Sequence, residues 1–312
     1  SSNAKSITSY KPNSLPVDWL ILSIMGAAAL AVTGIIDKFI LSRFVKDAMA
    51  YLLVLVVMQQ ILILAIPAYM GWGYVFPQSI YAMVTGVFQV VLWTAYLLAL
   101  QQEETSRVAA LVYVFPVFVF LGAYLFFGET LDLNDYAGGA MLVGSAILIS
   151  YRPGQKGETS LSPALKYMTV FWVFTAAYAL ASKYLLDFMT EWHLILWSSI
   201  GSVLTVLPLL LRESVRREVT AYFRAGLFLL AALFADEVFD IIGRGASVFA
   251  YKVGSVALVS SVAAMQPFIT LLYVIILGLF IPGVISEELD RKTMTLKVTA
   301  VIMIITGVYL VS

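Results

Sequence analysis

The sequence has no cysteine and only one histidine, His193, among its 312 residues. Disulfide bonds, thiol nucleophiles and thiolate metal sites are therefore excluded, and a histidine-based metal centre has too few ligands. A Ser/His catalytic pair has equally little from which to be built. We expect no metal ion, no cofactor and no enzymatic activity.

Charge is scarce as well as balanced. The 19 Lys and Arg residues offset 19 Asp and Glu residues, so the net charge is zero. A chain without a basic surface is a poor ligand for a polyanion, and we exclude nucleic acid as a partner. Charged residues make up 12% of the chain, against roughly 25% in soluble domains, and the mean hydropathy is +0.93. This composition excludes an ordinary soluble protein.

Long apolar runs account for most of the sequence. A helix needs about 20 apolar residues to cross a hydrocarbon core roughly 30 Å thick. Runs of about this length, separated by charges, Gly or Pro, occur ten times. The predicted spans, numbered 1 to 10, cover residues 17–36, 48–69, 79–100, 107–127, 133–151, 164–186, 192–211, 222–250, 254–281 and 294–311.

The spans fall into two sets of five. Residues 1–16 form an N-terminal tail, in which Ser2-Asn3-Ala4 is predicted to be the remnant of a cleaved expression tag. The first five-helix repeat covers residues 17–151, a polar linker covers 152–162, and the second five-helix repeat covers 163–312. The linker contains Pro, Gly, Ser and Lys, which are typical of a connection between units.

Internal similarity supports a duplication. Residues 99–116 and 250–267 both run 17 positions from the end of one span to a proline inside the next. Residues 33–41 and 178–186 share a lysine followed by an aromatic and two aliphatic residues. An odd number of spans per repeat inverts the second copy, and inverted repeats are typical of secondary transporters. We therefore predict an all-α integral membrane protein with ten transmembrane helices in two inverted five-helix repeats.

Several short motifs in the first half resemble one transporter family. They are VAAL at 108–111, PVF at 116–118, FGETL at 127–131 and YAGGA at 136–140, followed by Gly144. Together they resemble the EamA-like signature of the drug/metabolite transporter superfamily. The resemblance covers about residues 18–312 and is weaker in the second half, where 256–278 fits and 281–293 resembles an insertion.

This resemblance implies a ten-helix EamA-like carrier in the cell membrane. It implies export or exchange of amino acids or related metabolites by alternating access, with spans 1, 3, 4, 6, 8 and 9 around the cavity. The expected partners are a small-molecule solute and membrane lipid, with a homodimer left open. The smallest multidrug members of the superfamily carry a carboxylate inside their first helix, whereas Asp18 and Asp37 lie at the two ends of span 1. We therefore place the site on span 8.

Span 8 contains four charged residues, which are Asp236, Glu237, Asp240 and Arg244. Charges inside a span are costly, and they mark functional pathways by default. Steps of four residues place three of them on one helical face, and Glu237 joins the same stripe. Three carboxylates against one guanidinium favour a cationic or zwitterionic solute, and crowded like charges favour a carried proton. In the alternative interpretation, Arg244 pairs with Asp240 and only holds the helix to a neighbour.

Two lysines related by the repeat lie where spans 1 and 6 end. Lys38 and Lys183 either extend to the lipid headgroups or bind a carboxylate or phosphate of the solute. The second interpretation favours an anion or nucleotide-sugar exchanger, which is our alternative function. From a different class, an integral membrane enzyme acting on lipids is a further alternative.

The remaining candidates are aromatic residues, amides and prolines. Aromatic side chains on the expected cavity helices could stack on a solute, and these are Trp93, Tyr96, Tyr113, Trp172 and Tyr178. Gln59 and Gln60 in span 2 are predicted to form hydrogen bonds between helices. Pro116 and Pro267, at equivalent places in spans 4 and 9, are predicted to kink their helices.

Overall fold

The computed structural model describes residues 17–44, 47–102, 108, 111–150, 164–280 and 291–311. All regular structure in these ranges is helical. In chain order the α-helices, which we number α1 to α13, are Val17–Arg43, Ala48–Ile63, Ala65–Met70, Gln78–Gln102, Phe115–Gly122, Leu133–Ser150, Leu165–Leu185, Glu191–Val206, Glu213–Arg224, Leu227–Val253, Val256–Ala263, Gln266–Phe280 and Arg291–Val311. A π-helical turn, Ala123–Phe127, extends α5, and a 3-10 turn, Leu207–Leu211, extends α8. The predicted linker at 152–162 lies outside the described residues.

Five helical segments of the described chain are long and apolar enough to cross a membrane. They are Trp19–Leu41, Ala48–Met70, Gln78–Gln102, Glu191–Leu211 and Val256–Leu277. Phe115–Phe127 and Val298–Val311 are shorter apolar helices. The α10 helix contains charged residues but is long enough to cross a membrane. Its 27 residues, at 1.5 Å each, give a length of about 40 Å, which exceeds the roughly 30 Å thickness of the hydrocarbon core.

Span 8 was predicted from residue 222, but the structure divides this region into two helices. The short helix α9 ends at Arg224, and Gly226 has a φ of +103° before α10 begins at Leu227. That backbone conformation favours glycine and stops the helix. Val215 and Tyr222 are the buried residues of α9, whose other side carries arginines. An amphipathic helix therefore precedes α10, and span 8 begins later than predicted.

The two prolines lie at helix starts and not at kinks inside long helices. Pro116 is in the first turn of α5, after a turn at residues 113–114. Pro267 is in the first turn of α12, and the residues Ala264 and Met265 separate this helix from α11. Proline has no N–H and is tolerated in a first helical turn, where that donor has no partner within the helix. The predicted bend is therefore a helix break at equivalent places in the two halves.

Helix packing pairs the two halves in a reciprocal pattern. The first helix of the first half, α1, packs on α10, while its counterpart in the second half, α7, packs on α4. In the same way α5 packs on α7, and α12 packs on α1. The last helices of the halves, α6 and α13, pack on each other, as do α2 and α8. These contacts between the halves therefore either occur as pairs related by exchange of the two predicted repeats or join equivalent helices.

Two glycines allow α4 and α8 to approach each other closely. A Cβ atom on Gly86 would lie 1.9 Å from the carbonyl oxygen of Ser198, and one on Gly201 would lie 1.9 Å from that of Met83. No side chain fits at those distances, so the helix pair requires glycine at both positions. This close contact positions the polar residues of α8 beside those of α4.

Candidate functional site

The acidic residues of α10 lie inside the helix bundle. Asp236, Glu237 and Asp240 are only 1%, 3% and 7% exposed. The helix packs on α1 and α2, and its apolar residues Phe239 and Ile242 are exposed on another side. The stripe predicted from the spacing therefore faces protein, where charged groups can find partners.

A glutamine of α2 bridges two of these carboxylates. The Gln59 side-chain amide donates from Nε2 to Glu237 Oε2 at 2.9 Å and to Asp240 Oδ2 at 3.2 Å. Arg244 lies one helical turn after Asp240 in α10. It donates to the same Asp240 oxygen and forms an ion pair with this carboxylate. The predicted role of Gln59 and Gln60 as bonds between helices is confirmed, since Gln60 donates to Ser199 of α8 at 2.7 Å.

Asp37 joins this cluster, although the sequence analysis placed it at the end of span 1. The α1 helix continues to Arg43, so Asp37 lies six residues inside the helix and faces α10. It interacts electrostatically with Asp236, and the Tyr51 hydroxyl of α2 donates a hydrogen bond to it. The prediction ended the span at a charged pair, but Phe39, Ile40 and Leu41 continue the apolar run beyond it.

Charge in this cluster is strongly unbalanced. Four carboxylates, from Asp37, Asp236, Glu237 and Asp240, face one guanidinium, that of Arg244. Tyr51, Gln59 and Arg244 supply hydrogen-bond donors to three of the carboxylates. The Oδ1 atom of Asp236 is buried and has no hydrogen-bond partner in the described structure. Because unpaired buried charge is expensive, this arrangement favours neutralisation of part of the cluster.

A small cavity with both polar and apolar side chains in its lining lies next to the carboxylates. Its volume is about 20 Å³, which is enough for one water molecule. Both halves of the chain line it, the first with Gln59, Ile63 and Gln89, and the second with Tyr178, Ile195, Ser198, Ser199, Ile241, Arg244 and Gly245. Arg244 and Gln59 therefore touch the cavity on one side and the carboxylates on the other.

Hydroxyl groups of α8 extend the polar lining. Thr85 donates to Ser198 at 3.0 Å, and Ser202 donates to the Gln89 side-chain oxygen at 3.3 Å. Ser199 contacts the Gln59 side-chain oxygen at 3.5 Å. These serines are not recognisable as site residues from the sequence, because single small polar residues do not interrupt the apolar run of span 7.

Lys183 binds backbone carbonyls at the end of another helix. Its Nζ atom donates to the carbonyl oxygens of Tyr251 at 2.7 Å and Gly254 at 2.8 Å, at the C-terminus of α10. Lys252, in the last turn of α10, donates in turn to the carbonyl oxygen of Leu186, at the C-terminus of α7. Each lysine therefore caps the other helix, where a cation also interacts favourably with the helix dipole.

The repeat-related lysine is in a different position. Lys38 is exposed and makes no hydrogen bond within the described residues. Near Lys183, Ser255 donates to Glu129 Oε2 at 2.6 Å and its hydroxyl also caps the N-terminus of α11. Glu129 belongs to the first half and Ser255 to the second. This hydrogen bond therefore joins the two halves near the C-terminus of α7.

Among the predicted aromatic residues, only Tyr178 lines the described cavity. Trp172 donates from Nε1 to the carbonyl oxygen of Leu111 at 2.7 Å, which ties α7 to span 4. The rings of Trp93 and Tyr96 lie 5.7 Å apart, and Tyr113 is buried in an apolar cluster. These four side chains pack within the helix bundle and do not line the described cavity.

The described residues contain no group of three or more His, Asp, Glu or Cys residues arranged to hold a metal ion.

Comparison with known proteins agrees with this architecture. A crystal structure superposes on this chain with a TM-score of 0.69, at 15% sequence identity, and covers 94% of this chain and 95% of its own. At that identity the likeness shows the fold alone. No curated protein matches the sequence.

The sequence profile of the EamA-like transporter family matches residues 18–151, the region in which the family motifs were recognised. This family indicates a membrane transporter, and with the apolar helices it indicates a multi-pass membrane protein. The predicted resemblance is confirmed over this range, in which the chain is similar to the EamA-like transporter family.

Proposed function

We propose that the protein is a secondary active transporter that exports or exchanges a small polar solute by alternating access. The preferred solute class is an amino acid or a related zwitterion. The observation that carries this proposal is the cavity between the two halves, whose lining brings Arg244 together with Gln59, Gln89 and Tyr178. A guanidinium binds carboxylates well, and amide and hydroxyl groups orient a polar ligand.

The size of the cavity fits a carrier whose site is closed. A volume of about 20 Å³ accepts one water molecule and no amino acid. The helices around it must therefore separate before a solute enters. The hydrogen bond from Ser255 to Glu129 joins the halves near the C-terminus of α7, so opening there requires breaking it.

The proposed architecture is ten spans in two inverted repeats. The reciprocal packing of α1 on α10 and of α7 on α4 supports a duplication, because exchanging the halves converts one contact into the other. The equivalent breaks before Pro116 and Pro267 support it as well. In such carriers the solute site lies where the repeats meet, near the middle of the membrane.

Proton coupling belongs to the same proposal. Asp236, Glu237 and Asp240 lie behind Gln59 and Arg244 and carry more negative charge than their partners offset. A proton on one of them lowers the cost of burying the cluster. We place the carrier in the cell membrane and propose no enzymatic activity for it.

An anion exchanger is the second candidate, and one observation favours it. Arg244 is the only charged residue among those that line the described cavity. A cavity with a single positive charge also suits a phosphate or sulfonate. The lysines that first suggested this function do not support it, because Lys183 binds carbonyls and Lys38 is exposed.

A lipid-modifying enzyme agrees less well with the geometry. Its acidic residues would need to meet lipid, whereas Asp236, Glu237 and Asp240 are less than 10% exposed within the bundle. Their neighbours are protein side chains from α1 and α2. This burial supports the transport proposal over the enzyme.

Thermal stabilisation of the purified protein tests the solute class. A ligand of the native state raises Tm by mass action. The panel consists of amino acids, amines, sugar nucleotides and inorganic phosphate, each tested at pH 6 and pH 8. We expect a shift with zwitterions that is lost in Arg244→Met and retained in Lys38→Met.

The result also separates the candidates. A shift with phosphorylated compounds alone supports the exchanger, and a shift with none of the panel in wild-type protein contradicts both transport proposals.

A further inference from the structure

We infer that Asp37 and Asp236 form a carboxyl pair that holds one proton at the contact between α1 and α10, apart from the solute cavity. This inference rests on the proposed transport function and names the residues that carry its proton. The sequence analysis assigned no role to Asp37 and none to Tyr51.

Asp236 is the carboxylate that lacks a donor. Glu237 and Asp240 accept hydrogen bonds from Gln59, and Asp240 accepts another from Arg244. Asp37 accepts a hydrogen bond from the Tyr51 hydroxyl. Asp236 is 1% exposed, and its Oδ1 atom has no hydrogen-bond partner among the described residues. A carboxylate in this position loses its hydration without compensation, whereas a protonated carboxyl supplies its own donor.

The surroundings of Asp236 add to this effect. The titratable groups that face it are Asp37 from α1, Tyr51 from α2, and Glu237, Asp240 and Arg244 from its own helix. Only one of these is a cation, and Arg244 already pairs with Asp240. Tyr96 of α4 faces Asp37, and Tyr178 of α7 faces Arg244, so neither brings a positive charge.

The carboxyl pair and the cavity are separate compartments. Neither Asp37 nor Asp236 is among the residues that line the described cavity, whereas Gln59 and Arg244 are. Gln59 contacts Glu237 and Asp240, and Arg244 contacts Asp240. A solute carboxylate that binds Arg244 competes with Asp240 for the guanidinium. The negative charge released on Asp240 then strengthens retention of the proton on Asp236.

Asp37 and Asp236 also belong to different halves. When α1 and α10 separate and water reaches the pair, the proton leaves Asp236 for water and both carboxylates become hydrated. When the helices close, one carboxylate takes a proton from water. The pair is therefore protonated when α1 and α10 are in contact and deprotonated when they separate.

Infrared difference spectroscopy of the purified protein tests the inference without a solute. A protonated carboxyl has a C=O stretching band that a carboxylate lacks, and this band shifts in deuterium oxide. We expect the band in wild-type protein at neutral pH, and we expect Asp236→Asn to remove it. We expect Asp37→Asn to displace its frequency, because the neighbour of the carboxyl changes. The matched control is Asp187→Asn, an exposed carboxylate outside the cluster, which leaves the band in place.

Two outcomes would overturn the inference. The first is the absence of a protonated-carboxyl band in wild-type protein, and the second is a band that persists unchanged in Asp236→Asn. Thermal stability supplies an independent check, since an amide replaces a neutral carboxyl closely in shape. We expect the Tm of Asp236→Asn to equal or exceed that of wild type, and a large decrease shows that the ionised form was needed. If the band behaves as expected but no panel compound shifts Tm, the proton site stands and the transport proposal fails.

Discussion

Gln59 and Glu237 are joined by a hydrogen bond of 2.9 Å between Nε2 and Oε2, across the boundary between the two halves of the chain. The same amide group reaches Asp240 at 3.2 Å, and its oxygen faces Ser199. Gln59 also lines the cavity. It is therefore a side chain that connects the cavity to the buried carboxylates through neutral hydrogen-bond donors.

Replacing Gln59 by leucine removes the donor of Glu237 and one donor of Asp240. We expect a loss of about 1–3 kcal/mol in the free energy of unfolding, because a buried acceptor loses its partner. Thermal unfolding in detergent measures this loss. The control is Gln101→Leu, at the exposed end of α4, which we expect to leave Tm unchanged. Equal Tm values for the two variants would show that the bridge has no energetic role.

Replacing Arg244 by methionine leaves the carboxylates without their cation. Removing one partner of a buried ion pair costs about 3–5 kcal/mol. The side chain of Arg244 is 23% exposed, so we expect the lower end of this range. The double variant Arg244→Met with Asp240→Asn should recover most of the loss, since it removes the unpaired charge. Additive losses in the double-mutant cycle would contradict the pairing.

Reciprocal capping by Lys183 and Lys252 should stabilise the ends of α7 and α10. Lys183→Met removes two charge-assisted bonds to carbonyl oxygens, and we expect it to cost about 2 kcal/mol. The matched control is Lys38→Met, its exposed counterpart in the first half, with an expected change within about 0.5 kcal/mol. A similar Tm for both variants would instead indicate that Lys183 only reaches the headgroups.

Close packing of α4 on α8 depends on Gly201. A Cβ atom there would lie 1.9 Å from the Met83 carbonyl oxygen, so Gly201→Ala should cost at least about 1–3 kcal/mol through displacement of the helices. Gly34 of α1 is the control, because the nearest atom to its added Cβ lies 4.0 Å away. We expect Gly34→Ala to be neutral or stabilising by up to about 1 kcal/mol. Comparable losses for both alanines would be evidence against the close helix contact.

Much of the helical architecture was predictable from apolar runs. The helix boundaries match the predicted spans most closely where charges coincide with the helix ends, as at Leu133–Ser150 and Leu165–Leu185. The prediction ended too early at Asp37, because a charge inside a helix resembles a boundary when its partner on another helix is unknown. It also merged α9 with α10, since Gly226 interrupts the helix through its backbone conformation and not through polarity.

The site was predictable in part for the same reason. Regular spacing predicted the charged face of α10, and an amide pair in mid-span predicted that Gln59 binds another helix, although not that it binds the carboxylates. The reciprocal lysine caps were not predictable, because they depend on which helix ends lie side by side. Ser198 and Ser199 were missed because hydroxyl groups have no sequence period of their own, and their role comes from facing Gln89 and Gln59.

The most direct test of transport uses proteoliposomes that contain a trapped pH-sensitive dye. Amino acids from the thermal panel are added outside, and both dye response and uptake of the labelled amino acid are followed. The account predicts solute flux accompanied by a change in internal pH, with both lost in Arg244→Met and both retained in Lys38→Met. Wild-type protein that moves neither the amino acids nor protons, or an Arg244→Met variant that transports normally, would contradict it.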